Sequence, residues 1–396
     1  MSSDPVRAAR WAVAACFFVN GLIVGSWVPQ VPLLAQRFGL GETALGLIIL
    51  VLGIGAVTVM PLCGWLVGRT SSRLVVRVSA LLSAFALPLI AFAPNLPLAV
   101  PAVALFGAFV GGMDVAMNSN AVVVERRLGS AIMSSSHGFW SLGGFVGAGV
   151  GGRIAEALGS QGHALVVLAV VLAILAVALP RLIEERRALP EASSLAPRAV
   201  RFPRKPGIYV IGILSLLCMA PEGAVLDWAA LYLRQEMGAS LATASLAFTF
   251  FSGTMALVRF LGDSVRNHLG AVRTVRVSGI VAAVGLLAAG LSTHPMGAII
   301  AFALAGLGIA NMVPIIFSAA GNQPDVPASI GMSVATTIGY SGILVAPSLI
   351  GFVAERSGFA AVYIFFALVM LVVVLLSHRL SAADRIAVQP SPDMPL

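Results

Sequence analysis

Apolar blocks of about 20 residues, nearly free of charge, follow one another along this chain. An α-helix rises about 1.5 Å per residue, so each block is long enough to cross a hydrocarbon core of roughly 30 Å. The blocks predict spans near residues 8–34, 44–67, 75–94, 98–124, 133–157, 163–181, 207–233, 241–262, 272–292, 296–319, 328–353 and 358–378. A water-soluble alternative fails on composition. Here 59% of residues are hydrophobic and 10% charged, whereas a soluble domain has about 45–50% apolar and 25% charged residues. In lipid every backbone polar group has to be satisfied within the segment, which favours helices. The expected fold class is therefore an all-α integral membrane protein with twelve transmembrane helices. The first block follows Arg7 and Arg10 and is too long for the apolar core of a cleaved signal, so it reads as a retained helix.

The net charge of +8 could point to nucleic acid, but its distribution points to topology. With an even helix count and both termini inside, 19 Arg and Lys fall in cytoplasmic segments and 4 outside, with Arg259 inside a span. The expected location is a bacterial inner membrane, with both termini cytoplasmic and no nucleic-acid partner. Cys16, Cys63 and Cys218 all lie in apolar blocks at no metal-ligand spacing, so neither a disulfide framework nor a cofactor is expected.

The chain also repeats itself. A shift of 199 places Met133, Gly143, Gly152, Ala155, Glu156 and Gly159 on Met332, Gly342, Gly351, Ala354, Glu355 and Gly358. Val-Arg-Val-Ser at 76–79 recurs at 275–278, Gly111-Gly112-Met113-Asp114 parallels Gly308-Ile309-Ala310-Asn311, and Trp27 parallels Trp228. The division expected is an N-terminal six-helix bundle (1–181), a cytoplasmic linker (182–206) rich in Pro and charge, a C-terminal bundle (207–380) and a tail (381–396). Six spans per half give both halves the same orientation. A parallel pseudo-two-fold along the membrane normal follows, with a cavity where the halves meet.

These features, with two local motifs, resemble the major facilitator superfamily over essentially the full length. Gly64-Trp65-Leu66-Val67-Gly68-Arg69-Thr70-Ser71-Ser72-Arg73 is similar to that family's cytoplasmic loop signature, with Gly68 where the family usually has Asp. The second copy, Leu261-Gly262-Asp263-Ser264-Val265-Arg266, keeps the acid. The resemblance implies a gating latch from Gly64, Arg69, Arg73, Asp263 and Arg266. Gly143-x-x-x-Gly147-Ala148-x-x-Gly151-Gly152 resembles the family's antiporter motif, with Ala148 in place of Pro. The segments 111–118, 136–144 and 221–228 look most like the fucose-permease-related branch of sugar and metabolite carriers. That branch implies a fourth-helix acid in proton coupling.

Acids inside spans are the most informative residues, since a carboxylate at the bilayer centre costs at least about 2.5–3.5 kcal/mol on insertion scales. Asp114 lies mid-span with Asn118 one turn on, and Glu222 lies between Pro221 and Gly223, where a broken helix is expected. Asp114 and Glu222 are the expected proton carriers. Asp227, five residues beyond Glu222, is expected at a gate, at the solute or paired with an outer-loop Arg. His137 and Trp140 are expected as a ring pair near the cavity mouth. Asn20, Trp27, Gln30, Asn118, Asn311 and Tyr340 complete the expected solute contacts. Glu125, Glu156 and Glu355, at span ends, read as structural.

The function expected is a monomeric secondary transporter that moves a small solute by alternating access and is driven by protons. A drug or metabolite efflux antiporter of the same fold is the alternative. No phosphate-binding loop argues for direct ATP use. Gly339-Tyr340-Ser341-Gly342 matches the short motif of rhomboid-type intramembrane serine proteases, but its repeat mate Trp140-Ser141-Leu142-Gly143 argues for helix packing. A non-transporting sensor would need an attached soluble domain, which neither the linker nor the tail is long enough to supply.

Overall fold

A computed structural model describes residues 5–129, 132–184, 205–324, 326 and 328–384, with backbone alone at 134, 262–268, 328, 329, 333 and 343. Most of the expected linker and tail, and the side chains of Asp263 and Arg266, lie outside the described residues. The regular elements described are all helical: α1 (Pro5–Phe38), α2 (Glu42–Arg69), α3 (Ser72–Ala84), α4 (Ala86–Ala91), α5 (Leu96–Leu128), α6 (Met133–Ala178), α7 (Pro206–Met237), α8 (Leu241–Leu269), α9 (Ala271–Leu291), α10 (Pro295–Ile309), α11 (Met312–Gly321) and α12 (Ala328–Leu376).

Ten segments are long and apolar enough to cross a membrane, and the difference from twelve has a local cause. Helix α6 has 46 residues and α12 has 49, each about twice the length a single crossing needs. Each contains one non-helical residue, Gly159 at φ 71° and Gly358 at φ 77°. Positive φ is open to glycine at little cost, and there the chain doubles back. A Cβ built on Gly151 would lie 2.8 Å from His163 Nε2, although in a straight helix those residues stand about 18 Å apart. Division at the two glycines restores twelve crossings. Gly159→Ala and Gly358→Ala should each destabilise the folded protein by about 1–2 kcal/mol, because an L side chain is strained at positive φ. Thermal unfolding of the detergent-solubilised protein checks this, and an alanine variant as stable as the parent would contradict it.

Two expected spans are broken instead. The third is divided at Phe85 between α3 and α4, and the tenth at Ala310 and Asn311 between α10 and α11. The break expected at Pro221-Glu222-Gly223 is absent: α7 runs as one helix through Pro221. Proline removes one donor and disturbs one turn. Buried Met219, Ala220, Ala224 and Val225 pack on both sides of that turn and hold the helix. Likewise α1 continues through Pro29 and Pro32.

The repeat is visible in contacts as well as in sequence. Arg77 Nε and Nη2 donate to the Leu179 carbonyl at 3.2 and 3.1 Å, and its mate Arg276 donates from Nε to Ser377 Oγ at 2.9 Å. Each bond ties the start of a half's third crossing to the end of its sixth. Both bonds lie at the face that carries the described termini, Pro5 and Asp384, which we call the terminal face.

Among the described residues the halves meet chiefly along three helix pairs. The first segment of α6 runs against α8, with Gly144 against Ser252 and Phe248, Gly149 against Thr249 and Phe145 against Gly253. Helix α2 packs on the first segment of α12, with Gly46 against Pro347 and Ser348 and Gly53 against Leu344. Helix α1 meets α7. The described α2–α12 contacts lie toward the far face, opposite the termini. There Glu156 of one half also accepts a hydrogen bond from the Ala242 amide of the other at 3.3 Å.

Candidate functional site

Between the halves, helices from both bring charged groups together in the middle of the apolar slab. Arg259 of α8 points across the interface. Its Nη2 lies 3.5 Å from Glu222 Oε1 on α7, and its Nη1 donates to Ser141 Oγ on α6 at 2.6 Å. The two charged side chains are 13% and 22% exposed, so both retain access to the space between the halves. The positive charge of Arg259 also reaches His137. Tyr340 of α12 lies near both Asp114 and Glu222. Asp114 of α5 is partly exposed, and Asn118 Nδ2 contacts its Oδ1 at 3.3 Å and its carbonyl at 2.8 Å. The result is a ring of two carboxylates, one guanidinium, a phenol and an imidazole drawn from α5, α6, α7, α8 and α12. Neither half could make it alone.

Arg259 and Ser141 belong to this ring, and the sequence reading gave neither a role. The available signal was the one cation inside an apolar block. Its position alone did not reveal which acid it meets, because Glu222 is 37 residues away on another helix.

Other expected contacts go elsewhere. His137 and Trp140 do not form a ring pair. His137 packs edge-on against Phe17, with centroids 5.2 Å apart, and the Trp140 indole donates to Asn20 Oδ1 at 2.8 Å. The two positions are neighbours on one helix face, but adjacent α1 engages each ring separately, His137 with Phe17 and Trp140 with Asn20. Asn20, Trp27 and Gln30 are no more than 2% exposed, and their polar atoms are bonded within the bundle. Asn20 Nδ2 donates to the Val110 carbonyl at 3.1 Å. Gln30 Nε2 contacts His163 Nδ1 at 2.9 Å and the Ser160 carbonyl at 3.1 Å, while Ser160 Oγ donates to Gln30 Oε1 at 2.6 Å. In this conformation these three residues hold helices together rather than line the cavity. Asn311 sits partly exposed at the break before α11.

Asp227 has a different partner from the outer-loop Arg that was one expectation. Trp27 Nε1 donates to its Oδ1 at 3.2 Å, a bond between α1 and α7 that crosses from one half to the other and is buried. The two acids of α7 thus make separate contacts, Glu222 with Arg259 and Asp227 with Trp27. A net buried hydrogen bond is worth about 0.5–1.5 kcal/mol, more when one partner is charged. Trp27→Phe removes this bond while keeping an aromatic ring on Phe106. Expected is readier opening of the far face, read as faster alkylation of a single cysteine placed just below Asp227; an unchanged labelling rate would show that the bond does not hold that face shut.

The loop expected to form the gating latch makes its described contacts within its own half. Arg69 stacks over Trp65 at 4.4 Å, Arg73 pairs with Glu184 at 3.7 Å, and Gly64 stands 3.9 Å from Val115 measured from a built Cβ. The antiporter-like glycines have a packing role, since Gly143 and Gly147 lie directly against the α1 backbone, where any side chain would collide. Glu125 is structural as expected: its carboxylate accepts from the Ile132 and Met133 amides at 2.8 and 3.2 Å and caps α6. A groove lined by Gly41, Thr43, Leu47, Phe352 and Glu355 opens at the far face, away from the charged ring.

Twelve crossings in two similar halves, with a cluster of polar groups between them, define a polytopic membrane transporter rather than an enzyme. Comparison with known proteins agrees. The family model described as Major Facilitator Superfamily matches residues 13–329 and 211–392, and the chain belongs to that superfamily. It is 36% identical over 370 residues to an uncharacterized MFS-type transporter of Yersinia pestis, covering 93% of this chain and 95% of the relative. It is 33% identical over 366 residues to membrane protein MosC of Rhizobium meliloti, covering 91% and 88%. Among solved structures it is similar to a D-xylose-proton symporter (TM-score 0.75, 16% identity, 94% and 97% covered). It is also similar to the Escherichia coli fucose:proton symporter FucP (TM-score 0.65, 18% identity, 96% and 100% covered). At these identities the structural likeness is one of fold.

Proposed function

We propose that the chain is a proton-driven carrier of a small solute in a bacterial inner membrane, with its terminal face in the cytoplasm. The observation that carries this reading is the convergence of Asp114, Glu222, Arg259 and Tyr340, from both halves, at the interface between them. Ionisable groups at such depth are costly to insert and are placed where they handle ions or solutes. The excess of Arg in the segments assigned to the cytoplasm supports the orientation. With that orientation, the far-face contacts between α2 and α12 and the Trp27–Asp227 bond describe a carrier closed to the outside. Rocking the halves would break those contacts and engage the loop at Gly64–Arg73 and its mate with Asp263 and Arg266.

In this cycle a proton enters from the outer side to Asp114 and is held with the solute at Glu222, with Tyr340 between them. Asn118 and His137 offer hydrogen bonds to the solute. Uptake into proteoliposomes under an imposed pH gradient tests the reading. Accumulation that collapses with a protonophore supports it. Accumulation that follows a sodium gradient at equal pH would replace the proton, and the absence of any gradient-driven or exchange flux would end the carrier reading.

A further inference from the structure

The ring at the centre holds one permanent charge. Guanidinium stays protonated at all accessible pH values, so Arg259 is positive in every state of the cycle. Its neighbour Glu222 is not fixed in this way. The ion pair spans 3.5 Å, and the Glu222 side chain is 22% exposed to the space between the halves. Ser141, by contrast, holds the other arm of Arg259 at 2.6 Å and fixes the direction of the guanidinium. Arg259 thus presents an oriented fork whose acidic partner is at 3.5 Å and partly exposed.

We infer that the transported solute carries an anionic carboxylate, and that it binds Arg259 in place of Glu222 as Glu222 takes up a proton. This rests on the carrier reading above. The exchange balances: one proton passes from water to the Glu222 carboxylate, the Arg259–Glu222 pair separates, and an Arg259–solute carboxylate pair forms. The ring keeps its net charge, so no unpaired ion is left in the low-dielectric interior. The groups facing Glu222 fit this exchange. Arg259 lies 3.5 Å away, and Tyr340 and Asp114 belong to the same polar region. His137 of α6 also lies in this region, packed edge-on against Phe17. A fork geometry suits a carboxylate, which it can meet with two parallel hydrogen bonds. Asp114 with Asn118 then receives the hydroxyl or amino groups at the other end of the solute.

The test uses the full-length protein in detergent with three open-chain probes that differ in one group: gluconate, sorbitol and glucamine. Shorter hydroxycarboxylates with their neutral and amino counterparts extend the series. Expected are thermal stabilisation by carboxylates only, and uptake of about one proton per carboxylate bound, seen with a pH indicator in weakly buffered solution. Glu222→Gln should keep carboxylate binding and lose proton uptake. Arg259→Gln should weaken binding at least about tenfold, with Arg259→Lys intermediate because it keeps charge but not the fork. If Arg259→Gln does not fold, the Lys variant and Ser141→Ala carry the comparison. Stabilisation by sorbitol or glucamine without gluconate, or no carboxylate effect across the series, overturns the inference. Proton-driven transport of a neutral or amino probe would do so while leaving the carrier reading intact.

Discussion

Arg259→Gln should destabilise the folded protein by roughly 2–4 kcal/mol, and adding Glu222→Gln should return most of that loss. Removing one partner of a buried ion pair typically costs about 3–5 kcal/mol, because the other charge is left in a low-dielectric site. The side chains here are 13% and 22% exposed, so the estimate is lowered for partial solvation. Replacing both partners by neutral amides leaves no uncompensated charge. The decisive observation is therefore the double-mutant cycle rather than the single variant. Detergent-solubilised protein unfolded by heat gives the comparison. If the double variant is no more stable than Arg259→Gln alone, the pair does not act as a unit, and Arg259 is stabilised by other contacts.

Asp114→Asn should abolish concentrative uptake while sparing solute exchange. One proton moving down a gradient of about one pH unit supplies about 1.4 kcal/mol, enough for about tenfold accumulation. Asparagine keeps the shape of the side chain but carries no exchangeable charge. The internal solute level should therefore fall from tenfold to equal with the outside, as for a facilitator. Counterflow should persist, since exchange of one solute for another needs no net proton release. Full accumulation by the Asn variant would remove Asp114 from the coupling route and leave Glu222 as its carrier.

The sequence made the architecture legible because its determinants are local and repeated. Each crossing is written in one uninterrupted run of apolar residues. The two places where a helix assignment runs on without a gap are marked by Gly159 and Gly358, already aligned by the 199-residue shift. Intramembrane acids were equally easy to find, since Asp114, Glu222 and Asp227 stand out in apolar runs. Their partners were not. Asp227 meets Trp27 of the opposite half across 200 residues, and Arg259 meets both Glu222 and Ser141 of α6. A side chain's place on its helix can be read from spacing, but which neighbouring helix faces it cannot. The expected ring pair of His137 and Trp140 failed for this reason, and so did the expected break at Pro221.

The sequence by itself determined that this protein lives in lipid, crosses it twelve times in two parallel halves, and carries three acids and an arginine within the slab. Those properties follow from the energy of each segment in hydrocarbon, which depends on its own residues. Only the tertiary structure decided that Asp227 pairs with Trp27 of the other half and that Glu222 pairs with Arg259 at the centre. Such pairings depend on how two separately stable bundles are set against each other, through contacts at glycines and small side chains that are nearly interchangeable in sequence.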